Sequence, residues 1–310
     1  MPAVFQITAP AKLNLFLEVL GRRDDGYHDL ETVITPISLG DVLRFQPRAD
    51  GVLQVACGLA GRLRGRPAPM LQNEHNVAWH ALERLRQRAG DPRLGGELRI
   101  DKQIPWEAGL GGGSSDAAAA LQLANRAWNL DYSGETLAEI GALVGSDVPF
   151  FFAGGTAVCR GRGERVTPLP THPPLWFVVV KPPRGLSTAQ VFSSLPAART
   201  RRSADPMVAE FRQPAFRSNS VHLYNCLRVG SCQRAPEIAD VLRQIQATHP
   251  LRAEMTGSGS ACYGLYPHRS AATRAQRLLA ARLPESLVVA CHSQTGTVAF
   301  SQSDLAKGFY

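Results

Sequence analysis

IPWEAGLGGGSSDAAAA, residues 104–120, decides how the rest of this sequence is read. Gly109, Gly111, Gly112 and Gly113 carry no Cβ, so the backbone there can turn its N–H groups toward a single anion. Ser114 and Ser115 add hydroxyl donors. From Asp116 to Trp128 the chain is rich in alanine and leucine, which predicts a well-formed helix with a small buried face. The start of such a helix carries partial positive charge, again favouring phosphate. Residues 98–100 read as a short strand leading into the loop. A strand, a glycine loop and a helix in that order make a phosphate cradle.

The loop fits neither common nucleotide pattern. No lysine follows the glycines, as a Walker loop requires, and Asp131 follows a helix rather than ending a second strand, as a dinucleotide fold requires. The plainer alternative is a flexible glycine-serine turn ahead of an ordinary helix.

Outward from the loop, Leu13, Leu15, Leu17 and Val19 alternate with other residues, which predicts a strand with one buried face. The turn-rich run 21–27 (GRRDDGY) ends it, and a second strand is expected around residues 42–45. Asn76 can cap a helix with the apolar stripe Val77, Ala81, Leu82 and Leu85, closed by Gly90. Further helices are expected over residues 135–144, 236–248 and 271–282, with strands at 176–180, 262–266 and 286–289. Pro168, Pro170, Pro173 and Pro174 crowd one interval, which places the domain boundary there and divides the chain into 1–168 and 169–310. Residues 182–214 are expected to be partly irregular.

The chain has 310 residues, comfortable for two units, and is 44% hydrophobic and 19% charged. That composition excludes disorder along its length. The net charge of +8 suits nucleic acid, a membrane surface or a small anion equally. Most of that charge is arginine, in short clusters such as Arg62, Arg64, Arg66 and Arg199, Arg201, Arg202, with no aromatic-rich basic stripe beside them. The only lysines are Lys12, Lys102, Lys181 and Lys307. Six cysteines without a Cys-x-x-Cys pair exclude a metal finger or a disulfide scaffold. No apolar run reaches the ~18–20 residues that span a bilayer. No charged leader with a hydrophobic stretch stands at the start, so a reducing, cytoplasmic location is expected.

Pro105 to Ala119 resembles the Pro-x-x-x-Gly-Leu-Gly-(Gly-Gly)-Ser-Ser-x-Ala-Ala signature of the GHMP kinases, and its Gly-Gly-Gly-Ser-Ser-Asp form is similar to their diphosphocytidyl-methylerythritol kinase branch. Glu107 stands where small residues are usual; its carboxylate is expected to face solvent. Residues 10–15 (PAKLNL), 145–151 (GSDVPFF) and 255–260 (MTGSGS) resemble the family's other motifs.

The resemblance implies an α+β, two-domain fold: a ribosomal-protein-S5-like N-terminal domain and a ferredoxin-like C-terminal domain, with the site in the cleft between. It implies ATP and Mg²⁺ as cofactors and a small cytidyl diphosphate alcohol, phosphorylated at its 2-hydroxyl, as substrate. Neither nucleic acid nor membrane is expected as a partner, and the chain would be a monomer or weak homodimer. Asp147 would be the base and Lys12 would lie beside it, polarising the hydroxyl and keeping the carboxylate ionised. Pro105, the loop from Gly109 through Leu110 to Ser115, Asn76 and Lys102 would serve ATP, with Ser115 touching the metal. Asn14, Tyr27, His28, Thr188, Phe192, Gly257, Ser258 and Gly259 would serve the substrate, Tyr27 and Phe192 clamping cytosine. Taken singly, each has a plainer reading: a helical cap for Asp147 or Asn76, a solvated lysine for Lys12 or Lys102, a turn pair for Tyr27 and His28, a core ring for Phe192. The family's Asn-Asp-Leu-Glu run stands here as Asn225-Cys226-Leu227-Arg228, without either acid. A GHMP kinase acting on mevalonate or homoserine, or a non-catalytic nucleotide- or nucleic-acid-binding protein on the same scaffold, are the competing functions.

Overall fold

The computed structural model describes residues 3–66, 72–193, 195, 201–214, 216–295 and 301–303; Arg199 and Lys307 lie outside them. The first half runs β1 (Val4–Arg22), β2 (His28–Arg48), β3 (Leu53–Leu59), α1 (Val77–Ala89), β4 (Gly95–Lys102), α2 (Gly112–Ala127), α3 (Gly134–Ala142), β5 (Ala157–Gly161) and β6 (Arg165–Pro168). The second half runs β7 (Trp176–Lys181), α4 (Thr188–Phe192), α5 (Asp205–Phe211), β8 (Tyr224–Asn225), α6 (Arg228–Arg234), α7 (Glu237–Gln246), β9 (Arg252–Met255), β10 (Cys262–Tyr266), α8 (Arg269–Arg282), β11 (Leu287–His292) and β12 (Ser301–Ser303).

Two sheets stand face to face between two layers of helices, an α+β arrangement. In the first sheet, β1 pairs antiparallel with β2. The other edge of β2 is shared: residues 30–34 pair with β5 and residues 42–48 with β4. β3 lies parallel to β4, joined to it through α1. Residues from beyond 168 also enter this sheet, β8 and β12 both pairing with β1. The second sheet has the spatial order β11-β7-β10-β9, antiparallel throughout. With α7 between β7 and β9 and α8 between β10 and β11, it is the split βαββαβ of a ferredoxin-like layer.

Side-chain alternation sets the layers. Ile7, Phe45 and Leu98 pack beneath Leu82 and Leu85 of α1 and the alanine face of α2. Leu13 and Leu15 meet Phe177, Val179 and Tyr263 between the sheets. Val178 and Val180, on the reverse of β7, meet Ile238, Val241 and Ile245 of α7 and Leu279 of α8.

An irregularity in the β1–β2 register between Pro10 and Ala11 re-aims the strand. Before it, Ile7 and Ala9 face the helices; after it, Leu13 and Leu15 face the second sheet. Lys12 and Asn14 are thereby turned toward α2. Residues 9–19 are consequently buried on both faces rather than one, Glu18 included, because the glycine loop lies against Lys12 on the face expected to be solvated and Arg202 and Tyr224 bond Glu18. Two smaller differences concern helices. Val77 opens α1 but is exposed, the buried stripe being Ala78, Ala81, Leu82 and Leu85. The loop helix starts at Gly112 instead of Asp116, so its first turn is built from the glycines and serines themselves.

Candidate active site

The loop between β4 and α2 meets β1 at close range. Lys12 N–H donates to Leu110 O at 2.9 Å, and a Cβ on Gly111 would come within 2.8 Å of Lys12 Cγ. Gly109 and Gly111 both have positive φ, +72° and +70°. A Cβ on Gly109 would lie 2.1 Å from Thr256 O, so the second glycine turn (256–259) occupies the space that the first leaves open. Thr256 Oγ1 lies 3.2 Å from both Gly109 O and Asn14 Oδ1, within donating reach of each. Gly111 is the N-cap of α2, and the N–H groups of the turn after it have no intrahelical acceptor. They are free to meet an anion.

Lys12 is 4% exposed. Its Nζ donates to Asn14 Oδ1 at 2.6 Å and lies 3.6 Å from Asp147 Oδ2. Asn14 is fixed in turn, its Nδ2 donating to Thr32 Oγ1 at 2.9 Å and its carbonyl accepting from Tyr263 OH at 2.8 Å. Asp147 sits on the turn after α3, anchored by buried Val148, Phe150 and Phe151. Val148 holds the N-cap position of the short helical turn there, and no side-chain cap is made. The Asp147 side chain is about one-third exposed (34%) and opens to the cleft. The Lys12 side chain is thus buried beside a carboxylate that remains open to whatever the cleft holds.

Lys102 is no solvated lysine. It forms ion pairs with Asp41 and, at 2.6 Å, with Asp116. Asp41 also accepts from the N–H groups of Gln103, at 2.5 Å, and Ile104, at 2.8 Å, so the pair pins both ends of the loop. Burial pushes the Asp116 carboxyl up against the pull of Lys102. Asn76 both caps α1, accepting from Ala78 N–H at 2.9 Å, and lines the cleft. Its amide donates to Cys57 Sγ at 3.0 Å, and burial pushes that thiol up to about 11.

At the other end, Tyr27 is 53% exposed and the His28 ring lies 5.1 Å from that of Phe192, tilted by 41°. Burial and then Arg22 lower the His28 pKa, leaving a neutral imidazole near pH 7. Thr188 Oγ1 meets Ser258 Oγ at 3.0 Å. Asn225 Nδ2 donates at 2.8 Å to Met255 O and to Gly257 O, holding the second glycine turn. Two buried acids hold residues 202–204: Arg202 N–H donates to Glu18 and Ala204 N–H to Glu31.

One cleft of about 1300 Å³ joins these parts, above the ~300–1,000 Å³ usual for a single ligand and roomy enough for two. Every site residue expected from the sequence lines it except Ser115 and Gly259. Ser115 is buried in the first turn of α2, its Oγ without a hydrogen-bond partner. Gly259, at φ +86°, shapes the second turn, where a Cβ would meet Met255 Sδ at 2.8 Å. Glu107 is exposed, as expected, and lies over Gly185. Sequence reasoning missed Asp41, Thr32, Asn225 as a turn clamp, and Arg162, which lines the cleft. Asp41 carries no local signal, since nothing in its spacing ties it to Lys102. The Gly161-Arg162-Gly163 turn was the one clue to Arg162.

Models of known families match two segments: the GHMP kinases N terminal domain at residues 76–155 and the GHMP kinases C terminal at residues 233–285. A 4-diphosphocytidyl-2-C-methyl-D-erythritol kinase of Pelotomaculum thermopropionicum is 41% identical over 84% of this chain and 89% of its own. One from Moorella thermoacetica is 39% identical over 92% of this chain and 98% of its own. A crystal structure of 4-(cytidine 5'-diphospho)-2C-methyl-D-erythritol kinase superposes with TM-score 0.74 at 31% identity, covering 94% of this chain and 100% of that one. The homoserine kinase of Cytophaga hutchinsonii, at 15% identity and TM-score 0.67, covering 97% of this chain and 98% of its own, shares the fold. Among the described residues no helix is long and apolar enough to cross a membrane.

Proposed function

Because the chain belongs to the 4-diphosphocytidyl-2-C-methyl-D-erythritol kinase family of GHMP kinases, we propose that the cleft performs that family's reaction with the residues described. The enzyme is an ATP-dependent kinase that phosphorylates the 2-hydroxyl of 4-diphosphocytidyl-2-C-methyl-D-erythritol, a step of the non-mevalonate route to isoprenoid precursors. The observation that carries the site assignment is the 3.6 Å approach of Lys12 Nζ to Asp147 Oδ2, between the glycine loop and the aromatic pair.

In this reading the open N–H groups of the loop and the start of α2 hold the triphosphate. The substrate hydroxyl lies against Asp147 and Lys12. Asp147 Oδ2 takes the hydroxyl proton, the oxygen bonds to the γ-phosphorus, and the bond to the β–γ bridging oxygen breaks, releasing ADP. Lys12 orients the reacting hydroxyl beside Asp147 and offsets charge on the transferring group. Lys102 keeps the loop in shape from beneath.

Mg²⁺ would come in on the triphosphate and neutralise its charge. The described residues hold no cluster of three His, Cys, Asp or Glu side chains for a metal. The partnerless Ser115 Oγ nevertheless suits an ion whose other ligands are phosphate oxygens and water. Tyr27 and Phe192 would hold cytosine, with the neutral His28 ring reading its edge. The same reading has two domains meeting near residue 168 and the enzyme working in the cytoplasm as a monomer or weak homodimer.

The test is ADP release measured with and without the cytidyl substrate. Release that depends on that substrate, and is not elicited by mevalonate or homoserine, is expected. Turnover of mevalonate or homoserine without competition by cytidine compounds would overturn the substrate assignment.

A further inference from the structure

The proposed substrate has a base at one end and a reacting alcohol at the other, and what separates them is a diphosphate. That charged middle must cross the wall of the cleft between the aromatic pair and the Lys12–Asp147 pair. The turn joining β5 to β6 occupies that wall. Gly163 has φ +119°, and a Cβ there would be 3.4 Å from both Asp147 Oδ1 and Ser146 O. Its neighbour Arg162 places its guanidinium 4.9 Å from the centre of the Tyr27 ring. Two consecutive residues of one turn therefore touch both ends of the site.

The backbone of the turn is held more firmly than the guanidinium. Arg162 N–H donates to Glu164 Oε2 at 2.6 Å and Gly163 N–H to Arg160 O at 3.2 Å. Arg162 Nε, by contrast, is 4.0 Å from Glu164 Oε2, at the outer limit of an ion pair. A cation resting on a half-exposed ring is held more weakly than one making charge-assisted, two-pronged bonds to phosphate. The face it covers on Tyr27 is a face that a base could stack on.

We propose that Arg162 reads the substrate's diphosphate, giving up the Tyr27 ring as the base arrives and taking the phosphate oxygens. This rests on the function proposed above and deepens it. Arg162 then selects a nucleoside diphosphate over the bare nucleoside and fixes the reach from base to hydroxyl. Arg22 and Arg201 also line the cleft, but only Arg162 belongs to the turn that abuts Asp147.

The experiment is equilibrium binding of cytidine and of CDP to the full-length protein, with the ATP site saturated by a non-hydrolysable ATP analogue. The native protein should bind CDP more tightly than cytidine. Arg162→Ala should weaken CDP by about 10- to 100-fold, move cytidine by less than about threefold, and leave the analogue's affinity unchanged; Arg162→Lys should restore part of the loss. If Arg162→Ala fails to bind the analogue, Arg162→Gln takes its place. Full preference for CDP retained without Arg162 would overturn the inference while leaving the substrate reading intact. A native protein that binds neither cytidine nor CDP would overturn both.

Discussion

Lys102 Nζ lies 2.6 Å from Asp116 Oδ2, tying the end of β4 to the first turn of the helix that carries the glycine loop. With Asp41 as second partner, one ammonium serves two buried carboxylates, so the loop is clamped from beneath by charge. Lys102→Met would leave both acids buried and unpaired. A loss of about 3–5 kcal/mol is expected, read as a lower urea midpoint, along with weaker ATP binding. An unchanged midpoint would mean that the clamp does not hold the loop.

The glycines divide into those the fold requires and those it tolerates. Gly109→Ala sets a methyl 2.1 Å from a backbone carbonyl at positive φ, whereas at Gly113 the nearest atom is Val77 Cγ2 at 3.8 Å. Gly109→Ala should therefore lower stability and ATP affinity sharply. Gly113→Ala, within a helix where Ala is favoured by ~1 kcal/mol, should fold at least as well as the native chain. Thermal melts with and without an ATP analogue compare the two.

Much of this was legible in the sequence. The loop, its helix and the four family motifs are local patterns, and local patterns carry backbone conformation and the sharp turns of glycine. The strand at residues 262–266 and the capped helix at 77–89 also follow from periodicity and capping alone. What was not legible arises from contacts distant along the chain. The burial of Lys12 comes from the glycine loop laid against β1 and that of Glu18 from Arg202 and Tyr224, while Lys102, expected to serve ATP, pairs with Asp41 and Asp116. The altered 225–228 run is similar: Asn225 keeps its clamp on the second glycine turn, while Arg228 pairs at 3.3 Å with buried Glu254, a partner no spacing pointed to.

The aromatic pair should act on one ligand only. Tyr27→Ala or Phe192→Ala removes a stacking face worth ~1–3 kcal/mol, so KM for the cytidyl substrate should rise about 5- to 150-fold. KM for ATP should hold. Steady-state kinetics with each substrate varied in turn would check this, and a matching rise for ATP would contradict it.

Lys181 gives a pH signature in stability. Burial lowers its pKa from 10.5 to about 8, and its ammonium is held by the carbonyls of Pro182 and Arg184. Between pH 8 and 10.5 the unfolded chain binds more protons at this group than the folded one, so stability contributed here rises with pH and is lost as pH falls through 8. The native protein should therefore gain stability relative to Lys181→Met between pH 8 and 10. Denaturant melts of both across that range would show it; a constant difference would refute it.

The most direct measurement is turnover and nucleotide binding by Asp147→Asn. The change keeps the size of the side chain and removes its ability to take the hydroxyl proton. The expected result is a fall in kcat of about 10²–10⁴-fold with the affinity for an ATP analogue preserved. Turnover at the native rate would contradict the role given to Asp147 and, with it, the placing of the chemistry beside Lys12.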